Sequence, residues 1–443
     1  MTWHNWAGTA SADPARRYWP RSAEEIADAI KDAASGGLTV RALGGGHSFT
    51  AAAATSGAAL DLSGWTGIVG ADLASGLITA RSGTTIRELN RALDSLGLAM
   101  PNLGDIDAQT ISGAISTGTH GTGAGLGGIA TQVAGLELVL ADGSVVSCSA
   151  QERPDLFNAA RVSVGALGVI STVTLQCVPA FALAAHEAPM HVDQVLARFD
   201  EFAAVNDHFE FYWFPYGSNA LLKQNNRTAA VGQGPVRGGA GGDVPPPMPG
   251  WRRFLEYEVM ENAAFGALCR TGRAVPRLIK PLNRLASATL STRRYSAPSH
   301  EVFVTPRRVR FVESEYAVPR ESVHEVLSQL RAGVPRLAHP VMFPVEIRVA
   351  AADDIWLSTA YGRDSAYVAI HQYTGLPYEE YFRLFESIAI AVGGRPHWGK
   401  MHTRDAAYLA TAYPRFDDFL RIRDEMDPDR RFANPYLEQV FGP

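Results

Sequence analysis

The sequence predicts an α+β protein made of two domains. Its 443 residues are enough for two large domains or three smaller ones, at roughly 150 residues per domain. Hydrophobic residues make up 46% of the chain and charged residues 19%, which is typical of a globular protein and excludes disorder throughout. The earlier part mixes helix and strand patterns with two glycine-rich stretches. The later part has the pattern of an antiparallel sheet covered on one side by helices.

The first predicted helix covers residues 22–34. Ser22 and Glu25 have the spacing of a capping box at its start, and a pair of glycines ends it. Residues 38–43 then form a predicted buried strand, which runs directly into the sequence GGGHS. This strand therefore leads into a turn in which backbone groups are unusually accessible.

A hairpin and one more strand complete the earlier part. LELVLADGSVVSC at 136–148 consists of two apolar runs joined by Asp142-Gly143, which is a strong hairpin signal. Residues 169–178 read as a strand. We therefore expect an α+β unit in which backbone lines much of one cavity.

The later part is predicted to be mainly sheet. Predicted strands cover residues 208–216, 308–318, 341–349 and 366–373, and predicted helices cover 322–331 and 378–392. Gly393-Gly394 suits the end of the second helix. Residues 231–250 contain seven glycines and five prolines, which is typical of a flexible surface insertion.

Composition excludes several classes of protein. The balance of 40 Lys and Arg against 45 Asp and Glu gives a net charge of −5, which argues against a nucleic-acid partner. No run of about 18 apolar residues is present, so we expect no membrane span. The first residues lack the apolar core of a signal peptide, and we expect a cytoplasmic protein. Three scattered cysteines are too few for a disulfide framework.

The glycine stretches carry the first functional signal. In Gly44-Gly45-Gly46-His47-Ser48, successive N–H groups can point into one concavity and bind a phosphate. The second stretch, residues 104–128, can close the same cavity from the other side. Two such loops suit an extended dinucleotide. The alternative is that both are tight structural turns.

Three other motifs fit their families poorly. Residues 123–128 (GAGLGG) match G-x-G-x-x-G, but no strand precedes them and no helix pattern follows. Ser48 resembles a hydrolase nucleophile, but Thr50 stands where the second glycine of G-x-S-x-G is needed. His397 and His402 lack the spacing of a zinc site, so we expect no metal.

Motifs along nearly the whole chain resemble one flavoprotein family. VRALGGGHSFTAAAATSGAALDLSG and GDIDAQTISGAISTGTHGTG are similar to the two FAD-binding stretches of the p-cresol methylhydroxylase/vanillyl-alcohol oxidase superfamily, in its aldonolactone oxidase branch. FPVEIR at 343–348, RPHWGK at 395–400 and RRFANPYL at 430–437 also resemble that branch. The nearest resemblance within it is to the L-gulono-1,4-lactone dehydrogenase/oxidase group.

The resemblance implies a two-domain FAD-binding fold with an antiparallel-sheet substrate domain, also called the cap. Residues 1–180 would bind FAD, 181–395 would form the cap, and 396–443 would return to the FAD domain. It also implies a covalent bond from His47 to the 8α carbon of the flavin; the alternative is that His47 only hydrogen-bonds within its turn. The other implied FAD contacts are Gly44, Gly45, Gly46, Ser48, Ser112, Gly113, Thr117, Gly118, His120, Gly121 and Val169.

Catalytic candidates come from the cap and the HWGK motif. On the strand at 343–349, Glu346 and Arg348 share one face. They are either a structural ion pair or, as the resemblance implies, groups that bind substrate oxygens. Lys400 would bind the reacting oxygen, as a base if it is desolvated beside Arg348 and otherwise as a charged donor. His371 either lines the same pocket or is a core residue, and Trp398 either walls the site or only packs.

The resemblance implies oxidation of an alcohol group of an aldonolactone, of the L-gulono-1,4-lactone or D-arabinono-1,4-lactone type, by hydride transfer to flavin N5. Gly113 would leave room for dioxygen, which favours an oxidase over a dehydrogenase using another acceptor. Ala114 stands where alditol oxidases carry a substrate-contacting serine, which disfavours an open-chain polyol. An alditol oxidase, an oxidase of a larger metabolite and a serine hydrolase remain alternatives. The sequence does not give the oligomeric state.

Overall fold

The computed structural model describes residues 2–228 and 244–443. Most of the predicted insertion at 231–250 therefore lies outside the described residues. Its last part, from residue 244, leads into the helix Gly250–Arg253.

The earlier part of the chain contains two main sheets. One is parallel and has the strand order Arg16–Tyr18, Ala58–Asp61, Val40–Leu43. The other is antiparallel and has the order Val145–Ser149, Val133–Val139, Val169–Gln176, Leu77–Arg81, Ile68–Asp72. Two short two-stranded ribbons pair Trp3–His4 with Ser11–Ala12 and Leu98–Ala99 with Val178–Pro179. The predicted hairpin and the strands on either side of it are confirmed.

Helices in this part pack against the sheets. They are Ala23–Ser35, Ile86–Ser95, Ile111–Ser116 and Pro154–Ala160. The predicted cap at Ser22 is present, because its Oγ accepts the N–H of Glu25 at 3.1 Å. The carboxylate of Glu25 instead accepts from the N–H of Arg21 at 2.7 Å, so the capping box is not completed at Ser22.

A large antiparallel sheet dominates the later part. Its eight strands follow the order Arg293–Pro298, Ala182–His191, Asn219–Arg227, His208–Trp213, Val345–Ala350, Ser365–Tyr373, Phe311–Pro319, Arg395–Pro396. The four predicted strands are confirmed within a few residues at their ends. This mixture of helices and largely antiparallel sheet agrees with the predicted α+β class.

One face of this sheet is covered by helices, as predicted. Val192–Ala197, Phe199–Val205, Val323–Gly333 and Glu379–Ala391 bury apolar residues such as Val345, Ile347 and Phe385 in one core. The opposite face carries the polar side chains of the same strands. Because successive side chains of each strand point to opposite faces of the sheet, one face is packed against helices and the other is open to ligands.

The C-terminal tail packs against the earlier part of the chain. Its helices are Ala406–Ala412, Phe416–Met426 and Pro435–Phe441. Phe419 and Phe441 share a core with Leu138 and Val173 of the five-stranded sheet. Trp398 is fully buried in this core and its indole N–H donates to the carbonyl of Leu357, so Trp398 packs and does not wall a cavity.

Several helices were not expected from the sequence. They are Gly250–Arg253, the π-helical Phe254–Ala264, Phe265–Ala274, Ile279–Ala288 and Ser299–Phe303. Several large apolar residues of 250–288 are exposed, and those of the π-helical Phe254–Ala264 do not repeat with the 3.6-residue period of a half-buried helix. Across the described parts of the chain, no helix combines the length and apolarity that a bilayer crossing requires.

Candidate active site

The loop after strand Val40–Leu43 lines a narrow cavity of about 110 Å³. Gly46 has a φ of +67°, which residues with a side chain rarely adopt. A Cβ on Gly45 would lie 2.4 Å from the carbonyl oxygen of Ala108 in the second glycine-rich stretch. The two loops therefore touch backbone to backbone, and glycine is required at this contact.

The backbone of this loop offers free donors. Among the described residues, the N–H groups of Gly45, Gly46, His47 and Ser48 have no backbone or side-chain acceptor. Consecutive unpaired N–H groups that border a cavity form an anion-binding nest. The cradle therefore fits the pyrophosphate of a dinucleotide such as FAD.

Most of the predicted cofactor residues border this cavity. Gly44, Gly45, Gly46, His47, Ser48, Ser112, Gly113, Thr117 and Val169 all line it. Gly118 and Gly121 line neither this cavity nor the larger one, and His120 lines the larger one. A Cβ on Gly121 would lie 2.3 Å from the carbonyl oxygen of Leu103, so this glycine permits close packing. Ala114 is fully buried in the core.

A larger cavity of about 590 Å³ adjoins the first. His47, Ser48, Gln109 and Thr117 line both, so the two cavities meet at the GGGHS turn. The walls of the larger cavity come from the polar face of the eight-stranded sheet and from the HWGK segment. All four predicted catalytic residues, Glu346, Arg348, His371 and Lys400, line it.

Lys400 is held by a carboxylate that the sequence analysis did not identify. Its Nζ lies 2.5 Å from Oε2 of Glu313 and 3.8 Å from Glu315. His371 Nε2 lies 3.4 Å from the other oxygen of Glu313. Burial raises the pKa of the Glu313 carboxyl, but the positive charges of Lys400 and His371 outweigh burial and bring that pKa to about 2. Glu313 therefore stays ionised.

Arg348 has different partners. Its Nη2 lies 2.5 Å from Glu346, and its Nε donates to Glu210 at 2.8 Å. The hydroxyl of Tyr212 donates to Glu346 at 2.8 Å. Burial and the negative charge of Glu210 raise the pKa of the Glu346 carboxyl, while Arg348 opposes the rise. Glu346 is therefore the carboxyl of this group most ready to carry a proton.

A third group surrounds Glu315. Its Oε1 lies 2.5 Å from Nε2 of His120, whose Nδ1 lies 2.9 Å from the carbonyl of Gly121. These three side chains, His120, Glu315 and His397, offer atoms within 4.8 Å of one another, close enough to hold a metal ion. However, His120 faces an acceptor at both nitrogens, and Nδ1 of His397 accepts the N–H of Gly399 at 3.0 Å. A metal would have to displace these bonds, because it needs a free nitrogen lone pair.

His47 lies where the two cavities meet. Its ring stacks on Trp6 at 5.8 Å between centroids. Burial lowers the pKa of His47, and the positive charge of Lys400 lowers it further. The imidazole is therefore neutral and nucleophilic near pH 7.

The sequence did not identify four residues that contact the predicted site residues. They are Glu210, Tyr212, Glu313 and Glu315. A signal existed for two of them, because Glu313 and Glu315 alternate with apolar residues on one strand, as Glu346 and Arg348 do. The strand pairing then places Glu313 opposite His371, Glu210 opposite Arg348 and Tyr212 opposite Glu346.

In the described residues, Ser48 Oγ has no histidine partner, so the arrangement of a serine hydrolase is not formed. His402 binds Tyr436 and lies outside both cavities.

Comparisons with known proteins give matches along nearly the whole chain. Residues 173–440 match the family model described as D-arabinono-1,4-lactone oxidase, and residues 14–149 match an FAD binding domain. The chain is 44% identical to L-gulono-1,4-lactone dehydrogenase of Mycobacterium tuberculosis (strain H37Rv), covering 100% of this chain and 99% of that protein. It is 34% identical to mouse L-gulonolactone oxidase, covering 100% and 98%. A solved solvent-stable cholesterol oxidase superposes with a TM-score of 0.79 at 21% identity, covering 99% and 97%, which supports the expected fold.

Proposed function

The chain belongs to the D-arabinono-1,4-lactone oxidase family of FAD-dependent oxidoreductases, and on this premise we propose that it oxidises an alcohol group of an aldonolactone. The proposed substrates are of the L-gulono-1,4-lactone or D-arabinono-1,4-lactone type, which the names of its relatives indicate. One observation carries the proposal: the glycine-lined cradle opens at His47 into a cavity walled by paired carboxylates and cations.

FAD, when bound, would supply the acceptor for the hydride of the alcohol, which carries both electrons of the oxidation. The side chains of the larger cavity bind and orient the substrate. The carboxyl of Glu346, held by Tyr212, pairs with the sugar hydroxyls. Arg348 donates to substrate oxygens and stabilises negative charge that develops on them.

Lys400 is assigned to the reacting oxygen. Glu313 lies 2.5 Å from its ammonium, and the described structure gives it no contact with Arg348, whose partners are Glu210 and Glu346. The ion pair with Glu313 suits the role of a charged donor, one of the two roles that the sequence left open. The hydroxyl proton of the alcohol then passes to a separate acceptor, and we assign the ionised Glu313 carboxylate beside Lys400 to this role. Glu313 and His371 fix the direction of the ammonium.

His47 is assigned as the covalent anchor of the flavin, through its 8α carbon. The assignment is supported by the neutral imidazole at the junction of the two cavities. Acid precipitation of the holoenzyme should leave the yellow colour in the pellet. His47→Ala should release the flavin to the supernatant, while His191→Ala, an exposed histidine, should not. Flavin that stays in the His47→Ala pellet would assign the bond to another residue.

Dioxygen is assigned as an electron acceptor. Gly113 borders the cradle, and outside the backbone of its own helix a Cβ on it would meet Thr110 Oγ1 at 3.0 Å. Space on the cavity side of this residue would admit a small molecule such as dioxygen.

A substrate panel tests the proposed function. Aldonolactones, alditols and simple sugars are mixed anaerobically with the holoenzyme while the flavin absorption is followed, and air is then admitted. Aldonolactones should bleach the flavin fastest, and air should restore the colour. Faster bleaching by alditols would contradict the substrate assignment. Colour that returns only with an artificial acceptor would contradict the assignment of dioxygen.

A further inference from the structure

Exposed large hydrophobic side chains are concentrated in the segment from residue 244 to residue 288, which includes the helices that begin at Gly250. Twelve large hydrophobic side chains are exposed in the described residues, and seven of them lie between Val244 and Leu285. Trp251 is 71% exposed and Phe254 is 62% exposed. Single exposed apolar residues are normal, but a concentration of them marks an interaction surface.

The opposite side of these helices is anchored to the rest of the protein. Cys269 and Ile279 are fully buried in a small core with Phe343. The amide of Asn262 donates to the carbonyl of Pro306, and that of Asn283 donates to the carbonyl of Val341, both at 2.9 Å. Because these buried contacts fix the orientation of the helices, the apolar residues on the far side cannot turn inward.

The same helices are basic within an acidic protein. Residues 250–288 contain seven Arg and Lys against three Glu, whereas the whole chain has a net charge of −5. The three acidic residues are already paired, since Glu256 and Glu261 contact Arg293 and Glu258 contacts Arg308. Arginines therefore dominate the charge that these helices present to the outside.

We call nine exposed residues of the segment 250–288 the outer face. It consists of Trp251, Phe254, Leu255, Met260, Arg270, Arg277, Leu278, Arg284 and Leu285. Among the described residues, no carboxylate forms an ion pair with its three arginines. The outer face thus combines aromatic and aliphatic side chains with cations that are available to an external anion.

We propose that the outer face docks the protein on an anionic phospholipid surface. Trp, Phe and Leu side chains are suited to the boundary between headgroups and acyl chains, and arginines are suited to the phosphates. A second copy of the chain is less suitable, because a two-fold interface would place this face against itself and bring its arginines together. The contact is peripheral and needs no crossing of the bilayer.

Docking would orient the substrate cavity toward the membrane. Arg253 belongs to the same helix as Trp251 and lines the rim of the larger cavity. This orientation does not depend on which alcohol the enzyme oxidises.

Vesicle sedimentation tests the proposal on the full-length holoenzyme. Vesicles of phosphatidylglycerol and phosphatidylcholine should pellet the protein at low ionic strength, pure phosphatidylcholine should pellet much less, and salt should reduce binding. Trp251→Ser/Phe254→Ser and Arg277→Glu/Arg284→Glu should each weaken binding by at least about tenfold. Trp19→Ser, which changes a tryptophan that is 57% exposed elsewhere, and Arg336→Glu should bind like the wild type.

Two outcomes would overturn the proposal. One is an absence of binding to anionic vesicles, or equal binding by the outer-face and control variants. The other is light scattering that shows a wild-type dimer which the outer-face variants dissociate, because the face would then belong to a second copy. Unchanged turnover of a soluble substrate shows that each variant is folded.

Discussion

The glycine-lined cradle and the charged cavity meet at His47, yet they are built in opposite ways. The cradle is made of backbone: Gly45 touches the carbonyl of Ala108, and consecutive N–H groups face the space between the loops. The charged cavity is made of side chains from one sheet face and the HWGK segment, where Glu346 contacts Arg348 and Glu313 contacts Lys400.

The difference shows where each region tolerates change. Backbone recognition depends on the absence of side chains, so even one added methyl group disturbs it. Side-chain recognition depends on pairs of charges, so a single substitution alters one interaction and leaves the fold in place. The first region would hold a constant cofactor, and the second would set which alcohol is oxidised.

The largest effect should come from a methyl group in the cradle. Gly45→Ala would place a Cβ 2.4 Å from the carbonyl oxygen of Ala108, so the two loops must separate. We expect loss of bound flavin and a lower melting temperature, measured by absorbance and calorimetry. Gly125→Ala is the matched control, because no atom lies within 4 Å of its added Cβ. Normal flavin content in Gly45→Ala would contradict the backbone contact.

The next effect should come from the charged cavity. Lys400→Met should slow anaerobic flavin reduction by the lactone on the order of 10²–10³-fold, as removal of a donor to a developing negative charge does. Flavin content should stay normal, which distinguishes this variant from Gly45→Ala. Lys31→Met, on the surface, is the control. An unchanged rate of reduction would remove Lys400 from the site.

Acid should destabilise the protein through three buried histidines that lie outside the cradle. Burial lowers the pKa of His208, His397 and His402 to about 4 each, from an ordinary value near 6.5. Between these values the unfolded chain binds more protons than the folded one, so stability is fully present above pH 6.5 and falls as pH drops toward 4. The cost is at most about 3 kcal/mol per histidine.

Calorimetry between pH 7 and pH 4 measures this effect. His402→Gln should flatten the dependence of the melting temperature on pH. Hydrogen exchange at pH 5 should show faster opening of the eight-stranded sheet than of the sheets in the earlier part. The reverse order would contradict the placement of the titrating groups.

The smallest effect should come from one hydroxyl. Tyr212→Phe removes the hydrogen bond to Glu346 and should reduce kcat/KM for the lactone by about fivefold, corresponding to roughly 1 kcal/mol. Stability and flavin content should not change. A wild-type kcat/KM would show that Tyr212 does not orient Glu346.

Much of the cradle could be predicted from the sequence, whereas much of the charged cavity could not. The cradle is local, because the run Gly44 to Ser48 defines a turn whatever surrounds it. The charged groups are opposed across strands that are distant in the chain: Glu210 faces Arg348, and Glu313 faces His371. A shift of one residue in either pairing would send these side chains to the packed face.

The expected partner of Lys400 illustrates the same limit. The sequence left open whether Lys400 is desolvated beside Arg348, and the fold pairs it with Glu313. Likewise, Gly118 and Gly121 belong to the second glycine-rich stretch, but only the packing shows that they line neither cavity.

The sequence by itself determined the α+β class, the glycine turn and the alternation that places Glu346 and Arg348 on one face, because these follow from neighbours along the chain. Only the tertiary structure decided which charges meet, because pairing across the sheet depends on register between segments that are distant in the chain, such as Glu313 with His371 and Glu210 with Arg348. It also decided that the basic, apolar helices at 250–288 remain exposed, since their buried side is fixed by contacts with distant segments.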